Sequence, residues 1–270
     1  MLIIGLGSAG CNIATLFKQH DQYHVELLDE GKGIKKQNTV EDYDSIEYKP
    51  RKKAIKSAST GILFVCGSGK VAGATLRVLD ALRHVKMTVV YLCPDLEFSS
   101  LKEKQRHKVH FNVLQEFSRS GLIAELILID NKSIIEIVGH GTIYDYYSKA
   151  NQYIYAAVHT LNYCNNVKPE FGSLHEPKTI SRVVTIGYGF LEKSEEKFFF
   201  PLDNITETSY IININEEELV NDITILPNVK AMVNESRKLE RESSFAIWAT
   251  EESESYYYTK HYTHFIQEIS

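Results

Sequence analysis

One stretch narrows the available folds more than any other. Met1–Ile13 reads MLIIGLGSAGCNI, in which an apolar run enters Gly5-x-Gly7-x-x-Gly10. Ile13, Leu16 and Phe17 follow at helical spacing, so a helix is expected from near Asn12. The order is strand, glycine turn, helix. Glycines here let backbone N–H groups come close to a phosphate, and a helix N-terminus adds its positive dipole end. Turn chemistry alone seldom spaces three glycines this way at a strand-to-helix junction. The stretch therefore points to a nucleotide without naming the base.

The rest of the composition removes several classes. At 270 residues and 43% apolar content the chain has the material for one large domain or two packed ones. A formal charge of −5 gives no overall basic footprint for nucleic acid. The dense cationic stretch Lys49–Lys56, KPRKKAIK, reads as a solvated loop or helix start. Cys11, Cys66, Cys93 and Cys164 are scattered without a CxxC pair, which predicts reduced thiols, no zinc site and an intracellular setting. No signal peptide precedes the first strand, and no apolar run approaches the roughly 20 residues that span a bilayer. A cytoplasmic protein with neither nucleic-acid nor membrane partners is expected.

Further along, His24–Glu30 reads as a second strand ending in two acids, and Asp29 stands 19 residues after Gly10. In a dinucleotide-binding unit that acid would hold a ribose hydroxyl, so an NAD(P)- or FAD-dependent oxidoreductase stays open. Residues 31–60 are polar and mixed; a loop with a short strand near Ser45–Tyr48 is expected. Gly61–Cys66 is a buried strand running into Gly67-Ser-Gly69-Lys-Val-Ala-Gly73 and an amphipathic helix with Leu76, Val78, Leu79 and Leu82. This second turn is not a P-loop, because no Gly-Lys-Ser/Thr stands in register. Lys70 reads equally as a phosphate lysine or a solvated one. Two glycine turns at strand C-ends of an open parallel sheet face one edge, where ligands bind. Two cradles suit a nucleoside di- or triphosphate better than a dinucleotide.

Met87–Leu92 is the next strand, followed by a helix over Leu101–Ser118, a strand over Ala124–Ile129 ending in Asp130-Asn131, and an amphipathic turn over Ile134–Val138 leading to Gly139-x-Gly141. A long helix over Tyr144–Cys164 then carries Ala150, Ile154, Ala157, Val158 and Leu161 on one face. Strand and helix alternate about five times, the α/β pattern of a doubly wound parallel sheet.

These residues resemble the tubulin/FtsZ family of GTP-binding filament proteins. GLGSAGCN at 5–12 is similar to its first phosphate loop, GxGGxGxN, and GSGKVAGAT at 67–75 resembles an eroded tubulin-signature loop, GGGTGTG. Ile129-Asp-Asn131 with the following IIEIVGHGTIYDYYSKANQYIYAAVHTL resembles, without gaps over more than 30 residues, the stretch from the guanine-contacting asparagine through the central helix. The resemblance implies a Rossmann-like parallel-sheet GTPase domain (1–143), a long central helix (144–166) and a smaller α+β C-terminal domain (167–270). It implies GTP or GDP as ligand, with any Mg²⁺ held through the phosphates, and head-to-tail assembly with copies of itself.

Carried over by position, the backbone of Gly7, Ser8, Ala9, Gly10, Cys11 and Asn12 would hold the α- and β-phosphates. Gly69, Lys70, Val71, Ala72 and Gly73 would approach the terminal ones. Asn131 would face the guanine edge, Tyr147 would stack on the base, and Glu97 and Arg106 would reach the ribose. Asn151 and Gln152 stand where FtsZ proteins have Asn-Asp, so Gln152 keeps an acceptor but not the charge that favours guanine. The family's catalytic loop, N-x-D-x-x-D, is matched by Gly172-Ser-Leu-His-Glu-Pro177, in which both acids are missing and Glu176 is the nearest substitute. The third phosphate loop, Gly-Ala-Gly, has no counterpart in residues 31–60. Weak or lost GTP hydrolysis is implied, either in a filament protein or in a scaffold that keeps only the fold.

From Ile180 the pattern changes to strands at Arg182–Ile186, Tyr210–Ile214, Phe245–Ala249 and Tyr256–Tyr262, with helices at Glu216–Asp222 and Asn228–Arg237. His261 and His264 on the last strand read as part of alternating packing rather than as metal ligands.

Overall fold

Leu2, Ile3 and Ile4 are fully buried, as befits a strand covered on both faces in a parallel sheet. In the computed structural model, which describes residues 1–50, 53–97, 99–139, 142, 144–191, 195–238 and 240–268, that strand is β1, Leu2–Leu6. It is followed by α1 (Gly7–Leu16), β2 (His24–Glu30), β3 (Gly33–Ile34), α2 (Val40–Asp44) and α3 (Lys53–Lys56). Next come β4 (Thr60–Cys66), a 3-10 turn (Lys70–Ala74), α4 (Thr75–Ala81), β5 (Lys86–Cys93), α5 (Leu101–Ser120), β6 (Glu125–Asp130) and α6 (Asn131–Val138). The long helix α7 spans Tyr146–Asn166. Arg51 and Lys52 of the basic stretch, and Gly141 of the Gly139-x-Gly141 turn, lie outside the described residues.

The chain divides into two units, Met1–Tyr155 and Ala156–Gln267, with the division inside α7. In the first unit the strands run in the order β3-β2-β1-β4-β5-β6, all parallel. The register pairs Leu6 with Val65, Cys66 with Leu92, and Cys93 with Asp130, so the C-terminal ends of β1, β4, β5 and β6 stand in one row. Leu63, Phe64, Val89, Val90, Leu126 and Leu128 are each fully buried between the helical layers. Each such aliphatic side chain contributes about 1.5–3 kcal/mol on leaving water.

The second unit holds β7 (Phe171–Ser173), β8 (Val183–Phe190), β9 (Lys197–Phe198), β10 (Glu207–Asn215), α8 (Glu216–Asn221), α9 (Ile225–Lys238), β11 (Glu242–Thr250) and β12 (Tyr256–Thr263). Its strand order is β8-β12-β10-β11-β7, with β9 on β8; only β10 and β11 pair in parallel. Val229 and Val233 of α9 pack on Ile212, Ile214 and Ile247. His261 lies 3.0 Å from the Glu196 carboxylate through Nε2 and 3.0 Å from the Thr208 hydroxyl through Nδ1, inside this unit. The mixed α/β architecture agrees with the expectation from sequence.

Residues 31–60 depart from expectation. No strand forms at Ser45–Tyr48; instead Gly33 and Ile34 add a two-residue edge strand beside Asp29 and Glu30, and α2 and α3 follow. Thr39 begins α2 through a reciprocal capping box with Asp42, whose backbone N–H it accepts at 3.1 Å. The short strands β7 and β9 also carry too little periodicity to be read in advance.

Candidate functional site

The first glycine turn is tighter than its sequence suggests. Helix α1 begins at Gly7, not near Asn12, so the turn is already the helix's first coil. Gly7 has φ +72, a conformation in which a Cβ is strained. Leu6 occupies the cap position, no side chain caps the helix, and no acid stands in its first turn. Three other helices of this unit carry side-chain caps, Thr39 on α2, Ser100 on α5 and Asp130 on α6, whereas α4, which continues the 3-10 turn, has none. The N–H groups of Gly7, Ser8 and Ala9 therefore point out of α1 without intrahelical acceptors, an arrangement that suits an anion. Those of Gly10, Cys11 and Asn12 fall within the helical ladder. Cys11 is buried, its thiol donates to the Gly5 carbonyl at 3.3 Å, and burial pushes its pKa up to about 11. The Asn12 side chain is exposed.

Gly10 serves packing. A Cβ there would lie 2.2 Å from the Phe64 carbonyl oxygen, so its missing side chain is what lets α1 lie against β4. Gly73 is similar, since a Cβ would meet the Val40 carbonyl of α2 at 2.4 Å. In the second turn Val71, Ala72 and Gly73 are buried, whereas Gly69 and Lys70 are exposed. Gly69 and Ala72 spend their N–H groups on Cys66 and Gly69 carbonyls. The two turns meet: the Val71 Cβ is 3.7 Å from where a Gly7 Cβ would stand. So the structure joins the first and second phosphate-loop candidates at Gly7 and Val71.

A second group gathers at the ends of β5 and β6. Asp130 accepts from the Ser133 backbone N–H at 3.0 Å and so fixes Asn131 as the half-buried first residue of α6. Glu97, exposed after β5, pairs with Lys132 at 3.5 Å, beside Asn131. Tyr147, 70% exposed, sits edge-on to Tyr146 at 5.0 Å. The Tyr146 hydroxyl is pushed up in pKa by burial first, then by the charges of Tyr147, Asp95 and Asp130. Asn151, one turn on from Tyr147, is half-buried and Gln152 exposed.

Arg106 lines a cavity with Lys70, Lys102, His110 and the segment Asn38–Glu41. Of these, Asn38, Thr39, Lys102 and His110 were not singled out by sequence. The signal that could have found the last two is their helical spacing with Arg106 at positions 102, 106 and 110. Beneath them His107 is buried and its pKa falls to about 4, through burial first and the neighbouring His110 second.

In the second unit Phe171–Ser173 pair with β11 as an edge strand, and the His175 N–H bonds the Ser244 hydroxyl at 3.2 Å. Glu176 follows, exposed. Among the described residues no three His, Cys, Asp or Glu side chains converge to hold a metal ion, and no helix is long and apolar enough to cross a membrane.

No protein-family model and no curated protein sequence matches this chain. Solved structures do. TubZ from Bacillus thuringiensis serovar israelensis, in GDP-form protofilaments, is similar over 96% of this chain and 86% of its own at 15% identity and a TM-score of 0.71. CetZ2 from Haloferax volcanii, a GTPγS-bound protofilament, is similar over 96% and 92% at 11% identity and a TM-score of 0.68. An empty FtsZ dimer from M. jannaschii is similar over 97% and 87% at 13% identity and a TM-score of 0.67. This chain has the fold of the tubulin/FtsZ proteins.

Proposed function

We propose that the chain binds GTP or GDP along the C-terminal edge of its parallel sheet and assembles head to tail with copies of itself. The approach of the two glycine turns at Gly7 and Val71 carries this reading, because it sets an uncapped helix N-terminus beside the exposed Lys70 of the second turn. The donor set fits a di- or triphosphate: Gly7, Ser8 and Ala9 offer backbone N–H groups to the inner phosphates. Asn131, Tyr147, Asn151 and Gln152 stand within two adjoining helices as candidates to meet the base. Glu97 is held by Lys132 and would reach the ribose from there. TubZ and CetZ2 are filament formers seen with guanine nucleotide, and the shared fold makes the same behaviour the natural reading here.

Hydrolysis, in this reading, is slow or lost. Segment 172–177 offers Glu176 as its carboxylate, and its first two residues are tied into an edge strand. Loss of a positioned acid or base typically lowers a rate by about 10²–10⁴. The resulting protein holds nucleotide as a structural element of a filament rather than turning it over quickly. The test is light scattering with phosphate release measured in parallel. GTP-dependent assembly with little released phosphate is expected; rapid turnover would show that a different set of residues activates water.

A further inference from the structure

A cavity of about 570 Å³ lies between α5, the 3-10 turn and the start of α2, lined by Lys70, Lys102, Arg106 and His110 with Glu41 as its carboxylate. We propose that this cavity binds a phosphoryl group, with Lys70, Lys102 and Arg106 as its countercharges. The proposal rests on the nucleotide reading above and adds to it a discrimination made by side-chain charge.

Four observations carry it. Lys102, Arg106 and His110 stand four residues apart on α5 and so share one face. Like charges at that spacing repel, so an isolated helix gains nothing from the pair and an anion between them restores the balance. Glu103, the acid nearest in sequence, is engaged elsewhere: its carboxylate accepts from the Ser100 N–H at 2.8 Å and hydroxyl at 2.7 Å in the capping box of α5. Glu103 still feels the Arg106 charge but makes no hydrogen bond to it, and the buried Arg106 Nε has no hydrogen-bond partner; among the described residues neither Lys70 nor Lys102 forms an ion pair. A guanidinium and two ammonium groups together match the several oxygens of a phosphoryl dianion.

His110 plays a different part. Its Nδ1 stands 3.1 Å from the Gly67 carbonyl, which can only accept, so that nitrogen carries the proton and the neutral ring presents an acceptor at Nε2. Burial lowers its pKa, which keeps it uncharged at neutral pH. The ring fixes α5 to the second glycine turn and contributes no charge.

Lys70 precedes Val71, whose Cβ lies 3.7 Å from where a Gly7 Cβ would stand. The phosphoryl group is therefore either the terminal phosphate of a triphosphate seated on the two turns or part of a separate phosphorylated ligand. Calorimetric titration with GTPγS, GDP and inorganic phosphate, at fixed ionic strength, separates them in the wild type and in Lys102→Glu and Arg106→Gln. Lys102 is exposed, so Lys102→Glu leaves the fold intact. Weakening of GTPγS by about tenfold or more with GDP within twofold supports the terminal phosphate. Weakening of inorganic phosphate with both nucleotides unmoved supports a separate ligand. If all three affinities stay within twofold in both variants, the proposal is overturned. Should the wild type bind no guanine nucleotide, the nucleotide reading fails on its own, and the phosphate titration alone decides the cavity.

Discussion

Gly10 and Gly69 both stand in glycine turns that the sequence marks for phosphate, yet their structural settings predict opposite responses to one added methyl group. A Cβ at Gly10 would lie 2.2 Å from the Phe64 carbonyl oxygen, against ordinary contact at 3.4 Å or more. Relieving that overlap moves α1 off β4 by about 1 Å, which disturbs a core that includes Ile13, Ala14 and Phe17. Overpacking of this kind costs about 1–3 kcal/mol and occasionally more, against roughly 1 kcal/mol gained because alanine is the better helix former. Because the clash is with backbone and not with a movable side chain, the cost falls at the upper end, and Gly10→Ala should lose about 2 kcal/mol net, or roughly 4–8 °C in Tm for a chain of this size. Gly69 has φ −70 and ψ 146, and a Cβ there would meet nothing nearer than the Cys66 carbonyl at 3.7 Å. Gly69→Ala should therefore hold its Tm or gain slightly through the unfolded chain. Thermal and urea unfolding followed by far-ultraviolet circular dichroism measures both. A Gly10→Ala variant as stable as wild type, or two variants that fall equally, would refute this division between packing and exposed glycines.

Two further outcomes follow from buried and exposed side chains of the same unit. His107 has its folded pKa depressed to about 4 from an ordinary 6.5, so its contribution to stability is complete above pH 6.5 and is lost as pH falls toward 4. That amounts to about 3 kcal/mol over the window, and urea midpoints should fall between pH 7 and pH 4 more steeply in wild type than in His107→Gln. Tyr147→Ala, at a residue 70% exposed, should leave Tm unchanged while weakening guanine-nucleotide binding by about fivefold or more. Equal affinity in that variant would remove the tyrosine from the base contact.

Strands and helices of the first unit were legible because their apolar periods are strong. His24–Glu30 was read with its true ends, and the Ile129-Asp-Asn131 junction was read at the correct strand end. The misreadings share a physical cause. Residues 31–60 carry short elements held by specific caps and turns: Thr39 with Asp42, and the Tyr43 hydroxyl bonded to Glu30 at 3.0 Å. Such contacts leave no period in the sequence. Gly10 illustrates a different limit. Spacing identifies the glycine, but only the nearness of the Phe64 carbonyl distinguishes a residue that admits a strand from one that admits a phosphate. The cationic cavity was half legible: Lys70 and Arg106 drew attention separately, and the fold is what brings them together.

The central claim is that a guanine nucleotide occupies the row of strand ends at β1, β4, β5 and β6. The direct test is to denature protein purified without added nucleotide, and to identify what it releases by chromatography and ultraviolet spectrum. In parallel, the purified protein is titrated with GTP, GDP and NAD. GTP or GDP released, or bound on titration in preference to NAD, is the predicted result. Release of NAD(P) or a flavin would contradict it and return the chain to the dinucleotide reading that Gly5-x-Gly7-x-x-Gly10 and Asp29 first allowed.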